Sequence, residues 1–454
     1  MTFDAIVIGS GQAGVPLAAR LAAAGKRVLL AERGELGGTC TNTGCTPTKS
    51  MIASARAAHV ARTAGRLGVR AGPVQVDLSA VVDRKDSIVR RWRESVEKRL
   101  KADRLTVIRG HARFVGERKV EVAGEVHTAE IVIVNVGARP LLPPIPGLEQ
   151  VRALDNGSLM RLRELPAHLL VLGGGYIGCE LGQMFRRFGS RVTIADQGDH
   201  LLAREDPEFS SVVEDVFRRE GIELLLGTKT TRVSQRGGEI ALELGGGKEV
   251  RGSHLLVAVG RRPNTDDLGC DKAGVALDPK GFIEADDQYR TKATGVYAVG
   301  DVLGGPQFTH TSWDDHRLLF DILLGQGKRT RRDRLIPYTV FTDPQVAGVG
   351  LTEKEARQKG VTFEAASMPF GDVARAIELD ETAGQMKVLV DPKSERVIGA
   401  TIAGAEAGEL IHVFVTAMQA GASARAIVDA EFVHPTFSEG VQSLVMKLDR
   451  FALH

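Results

Sequence analysis

The sequence predicts an α/β protein with two Rossmann-like domains, each of three ββα layers, followed by a C-terminal α+β domain. Two observations carry this prediction. A buried strand, a glycine-rich turn, a helix and a second strand follow one another near residue 9 and again near residue 173. Residues 336–454 contain the strand-like stretches KVLVD and RVIGATIAG and then the apolar helical run ELIHVFVTAMQAGA. We expect that run to lie at an interface between two copies of the chain.

The composition narrows the class of protein. The 454 residues exceed what one hydrophobic core usually holds, so about two to four domains are expected. Lys and Arg number 59 against 57 Asp and Glu, a near balance that argues against nucleic acid as the principal partner. Four cysteines do not make a disulfide framework, which favours a reducing, cytoplasmic setting. The sequence lacks any run of about 18 apolar residues, so we expect no membrane span.

The first strand, turn and helix form a dinucleotide-binding motif. Residues 5–8 are apolar and lead into GSGQAG, and the next strand, RVLLAE, ends at Glu32. We expect Gly9 to permit the tight turn, Gly11 to let a pyrophosphate approach the helix N-terminus, and Gly14 to let helix and strand pack closely. Glu32 is expected to accept a hydrogen bond from a ribose hydroxyl.

The same arrangement recurs in LLVLGGGYIGCELGQMFRRFGSRVTIAD, where the corresponding residues are Gly173, Gly175, Gly178 and Asp196. In both copies the acidic residue lies 23 positions after the first glycine. A single glycine motif is weak evidence, but two complete contexts with matched spacing predict that the chain binds two dinucleotides. Asp196 would repel a 2′-phosphate, so NADH is the expected donor. His200 and Arg204 are close enough in sequence to leave NADPH open.

A cysteine pair follows the first motif, in GGTCTNTGCTPTK at residues 37–49. On an ideal helix Cys40 and Cys45 would be about 8 to 9 Å apart, beyond the roughly 7 Å limit for a disulfide. Gly44 and the poor helix formers before it let the first turn distort, so a disulfide becomes possible. A bridge closing so small a loop adds little stability and is easily reduced, which indicates redox work. Two structural thiols or half of a zinc site are the alternatives.

A flavin is expected at one of the two sites, because a nicotinamide needs a relay to pass electrons into a disulfide. The first motif is next to the cysteines, so we assign FAD to it and the nicotinamide nucleotide to the second. Lys49 follows Cys45 by four residues, and an ammonium near a thiol lowers its pKa. Glu180 lies just past the second motif and should face away from the pyrophosphate. Ordinary surface charges are the alternative for both residues.

Taken together, these motifs resemble the flavin-dependent pyridine nucleotide-disulfide oxidoreductases, which include glutathione reductase, dihydrolipoamide dehydrogenase and mercuric reductase. The resemblance extends over essentially the whole chain, through IVIVNVGARPLLPPIPG, LLVAVGRRPNT and TGVYAVGDV. The segments GGPQFTHTSWDDHRLL and IPYTVFTDPQVAGVGLTEKEA look most like bacterial reactive-chlorine resistance reductases and mercuric-reductase-like flavoproteins. That likeness implies a part in oxidative-stress defence.

The resemblance also implies roles for further residues. The FAD site would include Thr39, Asp301 and His310, and the nicotinamide site would include Tyr176 and Gly260. Lys49 and Glu180 would pair beside the flavin. The helix N-terminus near His310 would stabilise negative charge on the flavin ring.

The segment HPTFSE resembles the family's catalytic His-Glu pair, here His434 and Glu439, which the second subunit of a homodimer would supply. Glu439 would hold the imidazole in one tautomer while it exchanges a proton with Cys40. Pro435 would fix the chain where a helix begins. As an alternative, Thr436 and Glu439 form a capping box in which Glu439 satisfies a backbone N–H.

We therefore expect an FAD domain over residues 1–148, an NAD(P) domain over 149–268, a central segment over 269–335 that completes the FAD site, and a dimerisation domain over 336–454. Electrons would pass from NADH through the flavin to Cys45, which faces it. Cys40 would be the exposed thiol that attacks a small disulfide or oxidant. Two alternatives remain: reduction of a metal ion such as Cu(II) or Hg(II) by the same dithiol, and service as the dihydrolipoamide dehydrogenase subunit of a larger complex.

Overall fold

A computed structural model describes residues 1–325 and 327–451. Its helices are α1 (Gly14–Ala23), α2 (Gly38–Asn42), α3 (Cys45–Thr63), α4 (Leu78–Leu100), α5 (Asn156–Leu159), α6 (Tyr176–Phe188), α7 (Pro207–Arg219), α8 (Thr309–Leu323), α9 (Glu353–Gln358), α10 (Ala374–Glu378), α11 (Ala407–Ala420), α12 (Ala424–Val428) and α13 (Glu439–Met446). Short 3-10 turns connect several of them.

The strands are β1 (Thr2–Ile8), β2 (Val28–Glu32), β3 (Leu105–Arg109), β4 (Ala112–Gly116), β5 (Lys119–Val122), β6 (Glu125–Val134), β7 (Ala138–Pro140), β8 (His168–Leu172), β9 (Arg191–Ala195), β10 (Ile222–Leu225), β11 (Thr230–Arg236), β12 (Glu239–Leu244), β13 (Glu249–Gly252), β14 (His254–Val257), β15 (Arg261–Pro263), β16 (Val296–Ala298), β17 (Tyr338–Val340), β18 (Gln345–Gly350), β19 (Glu364–Pro369), β20 (Gln385–Val390) and β21 (Val397–Gly404).

The chain divides into two compact units, each built from three stretches of sequence. The first unit contains Met1–Ser50, Ala80–Leu141 and Gly260–Arg334. The second contains Met51–Ser79, Leu142–Val259 and the chain from Leu335 onward. The domain boundaries expected at residues 148, 268 and 335 remain predictions.

The first unit is built on a seven-stranded sheet in the order β3-β2-β1-β6-β5-β4, with β16 beside the second half of β6. β1 is parallel to β2 and β6, while β4, β5 and the start of β6 form an antiparallel meander. Alternate residues of β1 serve two cores. Ala5 and Val7 pack with α1, whereas Ile6 and Ile8 pack with the meander. Helices, parallel strands and meander are the three predicted layers.

The second unit begins with a parallel sheet, β10-β9-β8-β14, and a small antiparallel sheet, β11-β12-β13. β8 is buried along its whole length, as its apolar sequence predicts for a central parallel strand. α6 follows β8 and packs against β9, which completes the second strand-helix-strand motif. The α/β prediction for this part of the chain is confirmed.

The C-terminal part of the second unit is an antiparallel sheet in the order β17-β18-β21-β20-β19. The stretches KVLVD and RVIGATIAG form β20 and β21, as predicted. α11 buries Leu410, Ile411 and Phe414 against this sheet, the spacing of one helix face. Among the described residues, no helix is long and apolar enough to cross a membrane.

Candidate active site

The first glycine loop joins β1 to α1. Gly9 has a φ of +102°, and a Cβ there would overlap the Asn135 carbonyl oxygen. A Cβ on Gly14 would overlap the Gly9 carbonyl oxygen, so the close packing of α1 on β1 needs glycine there. A Cβ on Gly11 would lie 2.8 Å from Asn135 Oδ1. The protein's own packing therefore requires all three glycines, and the loop presents a helix N-terminus, which favours an anion.

Glu32, at the end of β2, holds this loop. Its Oε2 accepts hydrogen bonds from the Ser10 N–H at 2.8 Å and the Ser10 hydroxyl at 2.7 Å. Its Oε1 accepts one from the Gly34 N–H at 2.7 Å. The carboxylate thus fixes the turn, and the ribose contact expected of it remains a prediction.

Asn135, directly after β6, is a structural member of the site that the sequence did not reveal. Its buried side chain accepts from the Gly14 N–H at 2.9 Å and donates to the Val299 carbonyl at 3.0 Å. These partners are 121 and 164 residues away along the chain, so no local pattern marks the residue. Asn135 joins the glycine loop to the segment that precedes Asp301.

Asp301 lies on a 3-10 turn, Gly300–Leu303, that follows β16. Burial raises the pKa of this carboxyl, and Arg261, whose Nη2 is 3.8 Å from Oδ2, works in the opposite direction. The Gly300 N–H donates to buried Asp315 of α8 at 2.7 Å. This bond ties the turn that carries Asp301 to α8.

The N-terminus of α8 lies where the resemblance predicts a helix end. His310 is the second residue of the helix, is exposed, and stacks on Phe308 with ring centroids 5.3 Å apart. The preceding residue, Thr309, has its Oγ1 3.1 Å from the Sγ of Cys45. Sequence analysis missed this contact because the two residues are 264 positions apart. α8 therefore begins against the cysteine pair.

The cysteine pair spans the break between α2 and α3. The chain leaves helical geometry after Asn42, and a Cβ on Gly44 would lie 2.9 Å from the Thr39 carbonyl oxygen, so the predicted distortion is present. Cys40 and Cys45 are free thiols. The neighbouring Cys45 thiol and burial raise the pKa of Cys40, while Thr309 lowers it. The disulfide expected between the two residues remains a prediction.

The two thiols differ in exposure in the described chain. Cys45 is exposed and Cys40 is half-buried, and the assignment of Cys45 to the flavin and of Cys40 to the substrate remains a prediction. The reason is that Cys45 starts α3, whereas Cys40 lies inside α2, which packs on the first glycine loop. A Cβ on Gly38 would be only 2.7 Å from the Gly11 Cα.

The second glycine loop joins β8 to α6 and repeats two features of the first. Gly173 has a φ of +114°, and a Cβ on Gly178 would overlap the Gly173 carbonyl oxygen. Gly175 differs, since no atom of the described chain lies within 4 Å of a Cβ built there. α6 begins at Tyr176, whose side chain is exposed.

Asp196 holds the second loop as Glu32 holds the first. Its carboxylate accepts from the Gly174 N–H at 2.6 Å and from the Gly198 N–H at 2.7 Å. His200 is engaged elsewhere, because its Nδ1 lies 3.1 Å from an oxygen of Glu214. The repeated acid thus has the same local role in both motifs.

Three further predicted residues lie on different elements. Lys49 is half-buried on α3, one turn after Cys45. Glu180 is buried on α6 and accepts from the Phe341 N–H at 3.0 Å. Gly260 has a φ of +137°, which favours glycine at that position. The pairing of Lys49 with Glu180 remains a prediction.

The predicted His-Glu pair is formed. The Nδ1 of His434 lies 2.8 Å from Oε2 of Glu439, and the imidazole is largely exposed. The Thr436 hydroxyl accepts from the Glu439 N–H at 3.3 Å, so half of the alternative capping box is present, but the Glu439 carboxylate is directed to His434. α13 begins at Glu439, with Ser438 as its N-cap, rather than at Pro435, four residues later than predicted.

The two glycine loops fit dinucleotides. The open space beside Gly175 leaves the backbone accessible to a pyrophosphate. At the first loop, the contact of Gly38 with Gly11 brings the cysteine helix to the same helix N-terminus. The residues present therefore fit FAD beside the dithiol and a nicotinamide nucleotide at the second loop.

Residues 3–315 match the family described as pyridine nucleotide-disulphide oxidoreductase, and residues 336–445 match its dimerisation domain. A dihydrolipoyl dehydrogenase of Thermus scotoductus is 36% identical over 100% of this chain and 99% of its own length. The probable pyridine nucleotide-disulfide oxidoreductase RclA of Escherichia coli is 35% identical, covering 97% and 98%. A mercuric reductase of Staphylococcus aureus is 33% identical, covering 99% of this chain and 83% of its own.

Solved structures give the same result. The Cu(II) complex of the HOCl-induced flavoprotein disulfide reductase RclA from Escherichia coli superposes with a TM-score of 0.90 at 34% identity, covering 98% of this chain and 99% of that one. The same reductase described without Cu(II) gives a TM-score of 0.89, also at 34% identity, and covers 97% and 99%.

Proposed function

Because this chain belongs to the pyridine nucleotide-disulphide oxidoreductase family, we propose that it passes electrons from NADH through Cys40 and Cys45 to a small disulfide or a related oxidant. It is an enzyme and a flavoprotein of that family, whose cofactors are FAD and NAD(P)H. The observation that carries the proposal is the position of the dithiol, packed through Gly38 on the first glycine loop and in contact through Cys45 with Thr309 of α8.

The residues that would hold the cofactors are already arranged. The first glycine loop, Glu32 and Asp301 would bind FAD, and the second loop with Asp196 would bind the nicotinamide nucleotide. When bound, FAD supplies the two-electron relay between the nicotinamide and sulfur.

The two sulfurs divide the chemistry. Cys45 contacts the start of α8, so we assign it to the cofactor side and Cys40 to the attack on substrate. The Cys40 thiolate attacks one sulfur of the substrate disulfide, the substrate S–S bond breaks, and the first thiol leaves with a proton. The Cys45 thiol then attacks the Cys40 sulfur, the mixed disulfide bond between Cys40 and the substrate breaks, and the second thiol leaves with the Cys45 proton. The resulting Cys40–Cys45 disulfide returns to two thiols by taking up two electrons that originate from NADH, together with two protons.

A base is needed because the neighbouring Cys45 thiol and burial raise the pKa of the Cys40 thiol. His434 is exposed and oriented by Glu439, so it can take this proton and return it to the leaving thiol. We propose that it acts on the dithiol of the second subunit of a homodimer. The match to the dimerisation domain and the apolar content of α11 support that assembly.

NADH is the proposed donor. Asp196 presents a carboxylate at the end of β9, where a 2′-phosphate would meet like charge. His200 is bound to Glu214, which supports the assignment because that imidazole is engaged with a carboxylate. We also propose a cytoplasmic location, since a dithiol cycle operates in a reducing compartment.

A second candidate activity is the reduction of Cu(II) or Hg(II) as substrate. The observation that favours it is the dithiol itself, two adjacent sulfurs of the type that bind soft metal ions. A Cu(II) complex of an E. coli relative and the mercuric reductases among the relatives support it. The third candidate, a dihydrolipoamide dehydrogenase subunit, is supported by the Thermus scotoductus relative.

An anaerobic titration of the FAD-loaded protein with NADH tests these proposals. We expect two-electron reduction to produce a long-wavelength absorbance band from a thiolate beside the flavin, retained in Cys40→Ser and lost in Cys45→Ser. Oxidised glutathione, lipoamide, Cu(II) and Hg(II), added separately, then distinguish the candidates by which one discharges the band. Bleaching without the band in the unmodified protein would refute the dithiol relay.

A pair of variants separates catalysis from capping at His434. We expect His434→Ala to slow disulfide turnover about 100-fold or more at neutral pH, with little change in melting temperature. Thr436→Ala, the matched control, should lower the melting temperature and leave turnover within about twofold. The reverse result would favour the capping interpretation.

A further inference from the structure

Three buried polar side chains form one face of α6. Glu180, Gln183 and Arg187 are spaced by three and four residues, so they lie one above another along the helix. Each is less than a tenth exposed. Buried polar groups need partners, and one segment of chain supplies a partner to each of the three.

That segment is residues 341–343, between β17 and β18. The Phe341 N–H donates to Oε1 of Glu180 at 3.0 Å. Gln183 makes two bonds to Asp343: it accepts from the backbone N–H at 2.8 Å and donates to the backbone carbonyl at 2.8 Å. Arg187 donates to Oδ2 of Asp343 at 2.7 Å. The three side chains of α6 thus hold both ends of this short segment, Phe341 and Asp343.

Asp343 is where the charges of this network meet. Its Oδ2 binds Arg187, which is also paired with Glu220 at 2.6 Å, and its Oδ1 lies 3.5 Å from Arg56 of α3. Burial acts to raise the pKa of Asp343, but Arg187 and Arg56 hold it below its ordinary value. Asp343 is therefore an anion at neutral pH, and its charge holds two arginines on one segment.

Glu180 and Asp343 also line one small cavity. Its volume is about 50 Å³, and Arg187, Phe341 and Met184 complete part of its wall. A cavity of this size and polarity can hold a few water molecules. A change at Asp343 therefore alters the electrostatic surroundings of Glu180 as well as the position of its N–H donor.

We propose that Asp343 is a positioning residue that holds the Phe341 N–H on Glu180 and so sets the orientation of that carboxylate during hydride transfer from the nicotinamide nucleotide. This inference rests on the proposed function and on the predicted pairing of Glu180 with Lys49 beside the flavin. Asp343 itself does not touch the reacting atoms. Its carboxylate fixes the segment through Arg187 and Arg56 while Gln183 holds its backbone, and the effect reaches Glu180 through the Phe341 N–H.

The chain offers a matched control. Glu381 is the second partner of Arg56, with Oε1 2.8 Å from Nη2, and its exposure is similar to that of Asp343, 31% against 27% for the side chains. Glu381→Gln therefore removes one carboxylate from the same arginine without touching residues 341–343. Any effect that Asp343→Asn shows and Glu381→Gln lacks belongs to that segment.

Two measurements on the FAD-loaded protein test the proposal. Rapid mixing with NADH under anaerobic conditions gives the limiting rate of flavin reduction, which we expect Asp343→Asn to lower about tenfold and Glu381→Gln to leave within about twofold. Amide hydrogen exchange gives the protection of the Phe341 N–H, which Asp343→Asn should lower and Glu381→Gln should not. The second measurement does not depend on turnover.

A double variant decides whether Asp343 acts through Glu180. If it does, Asp343→Asn added to Glu180→Gln slows flavin reduction no further than Glu180→Gln alone. The proposal would be overturned if Asp343→Asn lowered the rate of flavin reduction tenfold both in the unmodified protein and in Glu180→Gln. It would also be overturned if Asp343→Asn left both that rate and the hydrogen-exchange protection of the Phe341 N–H unchanged. A failure of the proposed function would look different: in the unmodified protein, neither NADH nor NADPH would reduce the flavin.

Discussion

The two glycine loops of this chain share a motif but are braced differently. In both, the first glycine has a positive φ and the third lies against the carbonyl of the first. In both, an acid at the end of the next strand accepts a hydrogen bond from the backbone N–H of the residue after the first glycine. The middle glycines differ. Gly11 lies against the side chain of Asn135, whereas Gly175 faces open space in the described chain.

This difference separates two reasons for a glycine at the middle of the motif. At Gly11 the protein itself leaves no room for a side chain, because Asn135 reaches across from the end of β6 to bind Gly14. At Gly175 no contact within the described chain excludes a side chain, so we propose that the nucleotide assigned to this loop needs the glycine in order to approach the backbone. A braced loop suits a resident cofactor such as FAD. An open loop suits a nucleotide that binds and leaves in every turnover.

The third glycines should show the largest effects, and the same effect in both loops. A Cβ at Gly14 or at Gly178 would overlap a backbone oxygen that cannot rotate away. We expect Gly14→Ala and Gly178→Ala each to cost about 3 to 5 kcal/mol of unfolding free energy, measured by urea denaturation. Gly25→Ala tests a glycine with positive φ and no described atom within 4 Å of a built Cβ, and should cost about 1 kcal/mol. A third-glycine variant as stable as Gly25→Ala would contradict the shared role.

The middle glycines should separate the two loops. Gly11→Ala places a methyl group 2.8 Å from Asn135 Oδ1, so we expect loss of about 1 to 3 kcal/mol and a lower FAD content per chain. Gly175→Ala should leave the melting temperature within about 1 °C and instead raise the KM for NADH about tenfold or more. Absorbance of the purified protein and steady-state kinetics measure the two effects.

A double variant then tests the assigned cause. Replacing Asn135 by Ser shortens the side chain that blocks Gly11, so Gly11→Ala should cost less in Asn135→Ser than in the unmodified protein. Additive losses would mean that Asn135 is not the obstacle.

The segment that contacts the second loop, residues 202–205, contains a buried acid, Glu205, whose ionisation makes stability depend on pH. The Leu202 N–H donates to the Gly174 carbonyl at 2.9 Å, and three residues later Glu205 accepts from the Tyr338 hydroxyl at 2.6 Å. Burial, and then the charge of Asp206, raises the pKa of Glu205 to about 7, against the hydrogen bond from Tyr338. Glu355 and Arg204 are the other charged neighbours, the first raising and the second lowering this pKa.

The raised pKa gives the sign of the effect. The contribution of protonated Glu205 to the free energy of unfolding is complete below pH 4.5, the ordinary pKa of a glutamate. It is lost as the pH rises through about 7, because the buried carboxyl then ionises. We expect Glu205→Gln to remove this loss and to be about 1 to 3 kcal/mol more stable than the unmodified protein at pH 8, with a smaller difference at pH 5. Urea denaturation at the two pH values measures it. Asp199→Asn, at an exposed position nearby, should show no such slope.

The sequence predicts what depends on local sterics and misses what depends on distant partners. The glycine loops, the acid 23 residues on and the break at Gly44 follow from spacing within short segments, and the His434–Glu439 pair is predicted from a short segment that resembles the family. Asn135, Thr309 and Asp343 do not, because each acts on residues more than 100 positions away. The lower exposure of Cys40 than of Cys45 has the same origin, since it depends on α2 packing against the first glycine loop.

The acidic residues should show the smallest and most specific difference between the loops. Asp196→Asn removes the charge that opposes a 2′-phosphate, so we expect the ratio of kcat/KM for NADPH to that for NADH to rise about tenfold, equivalent to about 1.4 kcal/mol. Glu32→Gln alters the same kind of turn in the first loop and should lower FAD content without changing that ratio, because its carboxylate serves the other cofactor. If Asp196→Asn leaves the ratio unchanged, the preference does not arise from this carboxylate, and Arg204, which is exposed eight residues later, becomes the next position to vary. If both variants change the ratio, the two loops are not assigned to separate cofactors as the comparison requires.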